Sequence, residues 1–563
     1  MAENENEKKA EKDKFSFFSG MRKDIKNRAQ YYKSDFTDVA KSLQSLTSVV
    51  FMFLATITPT VTFAALMAVY TGGSMGMIET LLSQCFVGMF FSLFSAQPLI
   101  IVSATGPVLV FEGSLHTMCE SFGIDFLTIR LYAGIWVLSF CLLFAAFNWA
   151  RIVYFVTRYT EDIFSSLISL IFFTASLSFL KETWKNHPAK NLEYHIAHYN
   201  ECAMALGRNS TDLTVICLEQ QPNTALLTTT AMFATFALSI MFLKIRQSNW
   251  FGRHFRNICG DFGVAISLLM VSITIQFFLG DIAIEYLQMP LQLAFTNIAA
   301  RGHGLVVIPK EVDPVEFLAS FVVALLIFIL IFVETEITEM LLSRKDRKTV
   351  KGSGLHWDLV LIGFCTLVSS IFGVPWMCPA AVQSLAHCSS LTIEQRKAPG
   401  EQPKPVAVIE QRVTGFLISA LIGVFALVGK HIALPTSALF GVFIYLGVMN
   451  LRGVKYLARF GLIFLPRKYF PNVPYVNKVS LPKIHLFTGI QTFLIAIVFL
   501  CKQNRETTVA FPFLLITFVL FRHLVLPYFY TEEELIALDG EEEEEEVHEP
   551  DAEDCYTKAH FPL

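Results

Sequence analysis

The chain has 563 residues, 53% of them hydrophobic and 53 of them Phe, while charged residues make up only 16%. That balance excludes a soluble globular domain, offers nothing to bind nucleic acid, and describes a polytopic membrane protein. The formal net charge of −4 says little about a partner, because much of the acidity sits in Glu541 to Glu546 near the C-terminus.

Residues 1–42 read as a short cytoplasmic arm with no cleavable signal, and Arg22, Lys23, Lys26, Arg28 and Lys33 read as a positive-inside anchor. The first span is predicted from Leu43 to Val69, kinked at Thr58-Pro59, and the second from Met77 to Phe94. The third is broken: Ser95-Ala96-Gln97-Pro98-Leu99 and Gly106-Pro107-Val108 interrupt an apolar stretch that ends near Glu120. A fourth span from Leu127 to Phe147 follows, and Thr160-Glu161-Asp162 reads as the cap of a fifth from Ile163 to Leu180.

The polar loop 182–222 holds Cys202, Cys217 and the sequon Asn209-Ser210-Thr211, so an extracellular placement leaves glycosylation at Asn209 and a Cys202–Cys217 disulfide open. The sixth span runs from Thr224 to Phe242 and the seventh from Asp261 to Leu279, separated by the basic residues Lys244, Arg246, Arg253 and Arg256. These segments make a first repeat over 43–280, and an outer loop over 281–315 with room for a surface helix leads to the second.

The second repeat, 316–530, starts with span eight (Glu316 to Leu342) and span nine (Trp357 to Phe372). Span ten is broken again, from Gly373-Val374-Pro375-Trp376 to Gln383 and His387. Spans eleven (Val413 to Val428) and twelve (Ile432 to Leu451), an amphipathic surface helix over Val454 to Phe464, and spans thirteen (Ile484 to Leu500) and fourteen (Thr508 to Leu526) complete it. Residues 531–563 read as an acidic cytoplasmic tail. The expected fold is therefore all-α, with about fourteen segments in a 7+7 inverted repeat, and both termini in the cytoplasm beside the basic loops.

An interrupted span survives in a bilayer only where protein or a water-filled cavity surrounds its free backbone groups. Two such breaks, third in each half, point to a transporter's substrate site. The half-helix that starts after each break offers unpaired N–H groups and roughly half a unit of positive charge, which suits an anion. Glu334 stands within an apolar span, where a charge costs at least about 2.5 to 3.5 kcal/mol. It is read as a site carboxylate against the alternative of a capping residue beside Glu336 and Glu339. Most cysteines lie in apolar spans as small hydrophobes, with no metal-ligand spacing and no cofactor motif. No nucleophile-base-orienter set or nucleotide loop suggests an enzyme.

Several runs resemble the bicarbonate transporter family, which includes band 3-type anion exchangers, sodium-bicarbonate cotransporters and borate transporters. They include Gly106-Pro107-Val108-Leu109-Val110-Phe111-Glu112, Arg158-Tyr159-Thr160-Glu161-Asp162, Gly260-Asp261-Phe262-Gly263, Glu334-Thr335-Glu336-Ile337-Thr338, Val374-Pro375-Trp376 and Gln411-Arg412-Val413-Thr414-Gly415. The resemblance implies a core domain of segments 1 to 4 and 8 to 11, with half-helices in segments 3 and 10. A gate domain of segments 5 to 7 and 12 to 14 completes the fold, with homodimers meeting through the gate. It implies a substrate site between the half-helix N-termini, built from Gly106, Pro107, Val108 and Gln383, with Thr62 from segment 1 and Glu334 and Thr338 from segment 8.

Two departures from the family pattern bear on function. Only about 40 residues precede the first span, so cytoskeletal anchoring is not expected. The position matching Gln383 carries an arginine in the exchangers, and Gln there resembles the borate branch. Two helix ends barely balance an ionised Glu334, so a monovalent anion needs a proton on Glu334, a bound Na⁺, or a neutral substrate such as boric acid; His387, one turn beyond Gln383, reads either as an added charge or as a helix-packing and hydrogen-bonding residue. Leu538-Asp539 resembles a tail motif for carbonic anhydrase, with a solvated acidic tail as the alternative. The leading expectation is a plasma-membrane anion transporter moving bicarbonate by alternating access against chloride, thereby regulating pH. Proton- or sodium-coupled borate or bicarbonate transport, or a proton/hydroxide conductance, stands as the alternative.

Overall fold

A computed structural model describes residues 17–41, 43–155, 157–188, 222–248, 252–286, 295–309, 314–344, 347–394, 405–428, 434–451, 454–503 and 511–540. Asn209, Cys202, Cys217 and Glu541 to Glu546 lie outside them.

The first half contains α1 (Ser19–Ala29), α2 (Leu43–Tyr70), α3 (Met77–Phe94), the strand β1 (Val102–Ser103), α4 (Gly106–Phe122), α5 (Phe126–Ala146), α6 (Arg158–Asn186), α7 (Pro222–Gln247) and α8 (Arg253–Phe278). The second contains α9 (Pro314–Leu342), α10 (Leu355–Ile371), β2 (Cys378–Pro379), α11 (Ala381–Ser390), the hairpin β3 (Thr392–Glu394) and β4 (Pro405–Val408), α12 (Val413–Val428) and α13 (Thr436–Asn450). It ends with α14 (Lys455–Gly461), α15 (Leu481–Gln503), α16 (Phe511–Leu524) and α17 (Glu532–Asp539). Among the described residues seven helices are long and apolar enough to cross a membrane, namely those of α2, α3, α5, α6, α7, α9 and α15. α8, the shorter helices α10, α12, α13 and α16, and the two strand-then-helix units lie at the other positions read from the sequence.

Packing divides the helices. α3 packs on α12, and α5 on both α9 and α10, while α7 packs on α8 and α13, and α13 on α6. α2 touches α4, α11 and α12 on one side and α8 and α13 on the other. Large apolar side chains such as Phe86, Leu269 and Phe493 remain on outer faces, as expected where the surrounding solvent is hydrocarbon.

Local detail departs from the sequence reading around α6 and α14. Thr160-Glu161-Asp162 does not cap α6, which starts earlier at Arg158 with Thr157 at its N-cap. Asp162 is buried instead and accepts from the Tyr456 N–H at 3.0 Å and the Arg459 guanidinium at 3.3 Å. In the stretch 454–464, α14 leaves Leu457 exposed on one face and buries Arg459, 1% exposed, on the other, where it also donates to Gln491 and to the Leu538 carbonyl, both at 2.7 Å.

The N-terminal arm is more than a charged anchor. Arg28 is buried and pairs with Asp35 at 2.8 Å and Glu410 at 3.3 Å. Lys351 and Arg412 also reach Asp35, at 2.9 and 3.0 Å. Three cations from separate segments thus neutralise one fully buried carboxylate, the arrangement a buried charge requires.

Candidate functional site

The two breaks are built on each other. β1 pairs antiparallel with β2, Val102 opposite Pro379 and Ser103 opposite Cys378, and the Ala380 N–H extends the contact to the Ile101 carbonyl at 2.9 Å. α4 and α11 begin directly after these strands.

The remaining free backbone groups of the first break find partners from the second half. Asp358 accepts from the Ala96 and Gln97 N–H groups at 2.6 and 2.9 Å, and the Ser384 hydroxyl lies 2.9 Å from the Ile101 N–H as its acceptor. His387 bonds the Leu99 carbonyl through Nδ1 at 2.9 Å and the Thr414 hydroxyl through Nε2 at 2.6 Å. Both of its nitrogens are engaged in holding the break, which is the packing role.

The second break is satisfied from the first half and the outer loop. Ser83 donates to the Pro375 carbonyl at 2.7 Å, Arg130 to the Val374 carbonyl at 2.9 Å, and Arg301 to the Gly373 carbonyl at 2.9 Å. The Trp376 N–H donates to Glu112 at 3.0 Å, while Arg130 pairs with the same carboxylate at 2.9 Å and lies over the Trp376 ring at 4.4 Å. Neither break could stand in hydrocarbon without these donors and acceptors.

Glu334 of α9 lies between the helix starts. Its carboxylate accepts from the Thr105 hydroxyl at 2.9 Å, and the Cys378 thiol of β2 hydrogen-bonds the same group. It is partly exposed, whereas its neighbours Glu336 and Glu339 are fully buried. Thr105 occupies the N-cap position of α4, but its side chain does not cap that helix. Gly106 and Pro107 open α4, where proline costs no intrahelical bond, and Val108 is 1% exposed. A Cβ on Gly106 would meet the Phe172 ring of α6 at 3.0 Å, so the helix start lies close against α6.

The other predicted residues stand less directly on the carboxylate. The hydroxyls of Thr62 and Thr338 donate to the backbone carbonyls of Thr58 at 2.6 Å and Glu334 at 2.7 Å, the ordinary behaviour of Thr in a span. Gln383 is partly exposed in the first turn of α11, and its Oε1 has no hydrogen-bond partner among the described residues. Thr105, Cys378 and Arg130 were missed in the sequence. A threonine directly before Gly-Pro at a helix start was the available signal for Thr105, whereas nothing local marks Cys378 or Arg130.

Two cavities flank this region. One of about 710 Å³ lies between α2 (Leu66, Val69), α6 (Ser178, Glu182), α7 and α13. The other, about 410 Å³, lies between α9 (Phe328, Val333), α6 (Phe164) and α16 (Leu520). The tail motif is not free: Leu538 and Asp539 are buried, and Asp539 pairs with Arg522 at 2.7 Å.

The model of the HCO3- transporter integral membrane domain matches residues 16–215 and 204–543. The chain belongs to the bicarbonate transporter family. Among its relatives, human band 3 anion transport protein is 36% identical over 551 residues, 97% of this chain and 58% of that protein. Mouse anion exchange protein 3 is 37% identical over 97% of this chain and 45% of its own length. The chain thus spans about half the length of these relatives. The transmembrane domain of the cyanobacterial bicarbonate transporter BicA aligns with 81% of this chain and 97% of its own at 14% identity and a TM-score of 0.49. The protein is an integral, multi-pass membrane protein of its family.

Proposed function

We propose that the chain carries bicarbonate across the plasma membrane in exchange for chloride, by alternating access, and so regulates pH. The observation that carries this reading is Glu334, tied at once to the residue directly before α4 and to the strand that precedes α11. An anion at these two helix starts meets free N–H groups and two partial positive charges. Gly106, Pro107, Val108 and Gln383 line the helix starts in this reading, Thr338 supports α9, and Thr62 borders the site from α2. The names of the relatives, an anion transport protein and an anion exchange protein, support an inorganic anion as substrate.

In the same reading fourteen segments form a 7+7 inverted repeat, and α2 to α5 with α9 to α12 move as a core against a gate of α6 to α8, α13, α15 and α16. The helix packing and the cavities on both sides of the α6 boundary support that division. Both termini are cytoplasmic, Asn209 carries glycan beside a Cys202–Cys217 disulfide, and the gate joins two copies. A carbonic anhydrase partner has less support, since Leu538 and Asp539 are buried.

Gln383 favours a second reading, in which a neutral or proton- or sodium-accompanied substrate such as borate replaces exchange, because no arginine offsets Glu334. Intracellular pH recovery after a CO₂/HCO₃⁻ pulse, with Cl⁻ and Na⁺ removed in turn, separates the two. Flux lost only without Cl⁻ is expected for exchange. Flux indifferent to Cl⁻ but dependent on Na⁺ or a proton gradient favours the second reading.

A further inference from the structure

Two residues beyond Glu334, α9 turns a different carboxylate to its opposite face. Glu336 is 0% exposed, and neither of its oxygens has a hydrogen-bond partner among the described residues. The charged groups facing it there are Asp358 of α10 and Asp24 of α1, both acidic. Glu339, one turn along the same face, is also 0% exposed and hydrogen-bonds Asp358 carboxyl to carboxyl. It also accepts from the Gly354 N–H at 3.3 Å. Cys141 of α5 lies within electrostatic reach of Glu336, and Arg412 within reach of Asp358. At the rim, Nδ1 of His356 lies 3.5 Å from Asp24, whose side chain is 12% exposed and whose carboxylate accepts from the His356 N–H at 2.9 Å.

A contact between two carboxyls requires one shared proton. A bare Glu336 carboxylate would be an unpaired charge in a site without a donor, which proteins avoid. A cation must therefore accompany this face. Among the described residues no three acidic, histidine or cysteine side chains converge at metal-ligand spacing, and a proton needs no such set of ligands. We propose that Glu336, with the Glu339–Asp358 pair beside it, is a proton-binding site separate from the anion pocket, reached past Asp24 and His356. Removing its proton places a bare charge on the core face of α9, the helix that carries Glu334, and disfavours the arrangement described above. Anion flux then falls as cytoplasmic pH rises.

The flux part of this inference rests on the anion-transport reading, whereas the proton site does not. Chloride self-exchange would be followed with isotopic chloride at fixed concentration while cytoplasmic pH is varied, in wild type, Glu336→Gln, Glu336→Met and Glu336→Asp. Wild type is expected to lose flux with rising pH, by up to about tenfold per unit for a single proton. The neutral variants should lose the slope, and Glu336→Asp should keep it. Infrared spectra of the purified full chain should show a protonated-carboxyl band in wild type that is weaker in Glu336→Gln. An undiminished band in that variant, or an unchanged flux slope, would overturn the proposal. So would a Na⁺ requirement abolished by Glu336→Gln, which would assign the face to an alkali cation. Absent chloride flux with a Glu336-dependent infrared band would reject the transport reading and keep the proton site.

Discussion

The Thr105 hydroxyl donates a 2.9 Å hydrogen bond to the Glu334 carboxylate, joining the residue before α4 to the middle of α9. A hydrogen bond to a charged group contributes about 1.5–3 kcal/mol. Thr105→Val keeps the shape and removes the donor, so the carboxylate loses its hold beside the anion. We expect at least about a tenfold change in apparent anion affinity with normal surface expression, read from the concentration dependence of chloride or bicarbonate uptake.

Gln383→Arg tests the charge balance of the pocket. A unit charge a few Å from an anion is worth several kcal/mol at an effective dielectric constant of about 20, before desolvation is subtracted. Apparent chloride affinity should rise about tenfold or more, and flux should become more strictly dependent on Cl⁻. Unchanged Cl⁻ dependence would remove Gln383 from the anion's surroundings.

Gly106→Ala puts a methyl group 3.0 Å from the Phe172 ring, across the contact between α4 and α6. The wedge disfavours this conformation without leaving a polar group unpaired. Transport should slow several-fold while the variant still matures to the cell surface. Phe172→Leu, which makes room, should restore part of the rate in the double variant.

Glu112 and Arg130 are both fully buried and 2.9 Å apart. Arg130→Met leaves the carboxylate uncompensated and should cost about 3–5 kcal/mol. The double variant Glu112→Gln/Arg130→Met should recover much of that, since the glutamine carbonyl still accepts the Trp376 N–H. Thermal unfolding of the detergent-solubilised protein measures both.

At the first turn of α15, the Lys483 ammonium lies 2.6 and 2.8 Å from the two oxygens of Glu534 of α17. That bond, with the Thr531 N–H, holds the Glu534 carboxyl below its ordinary value of 4.5. A group depressed on folding stabilises above its unfolded value and loses that contribution as pH falls through the folded one. The term is a fraction of a kcal/mol, because Lys483 is well exposed. Wild type should be slightly more stable than Glu534→Gln near neutral pH, and the gap should close as the buffer is acidified below the ordinary carboxylate value.

The broken segments were legible because proline and glycine in an apolar run have few tolerable explanations in a bilayer. Gly106-Pro107 fixed the start of α4, and the apolar length of α9 made Glu334 conspicuous. What satisfies the breaks was not legible. Asp358, Ser384, Ser83, Arg130 and Arg301 reach them from distant segments, and no local pattern encodes that. The reading of Arg28 as an anchor charge missed its burial for the same reason, since Glu410, one of its two partners, lies 382 residues away in the chain. His387 could be placed near the breaks, but only its bonds to Leu99 and Thr414 decide between packing and charge.

The pairing of Val102 with Pro379 and of Ser103 with Cys378 also sets an order for biosynthesis. When β1 leaves the ribosome it has no partner, and β2 is made only about 275 residues later, close to half of the whole chain. The amides at 102 and 103 must wait in water, in the translocon or at the interface, because unpaired they are costly in lipid. The residues around β1 can reach their final depth only with those around β2. Ribosome-bound chains cut short before residue 378 should therefore leave residues 96–104 open to aqueous labelling, and chains extended past α11 should bury them.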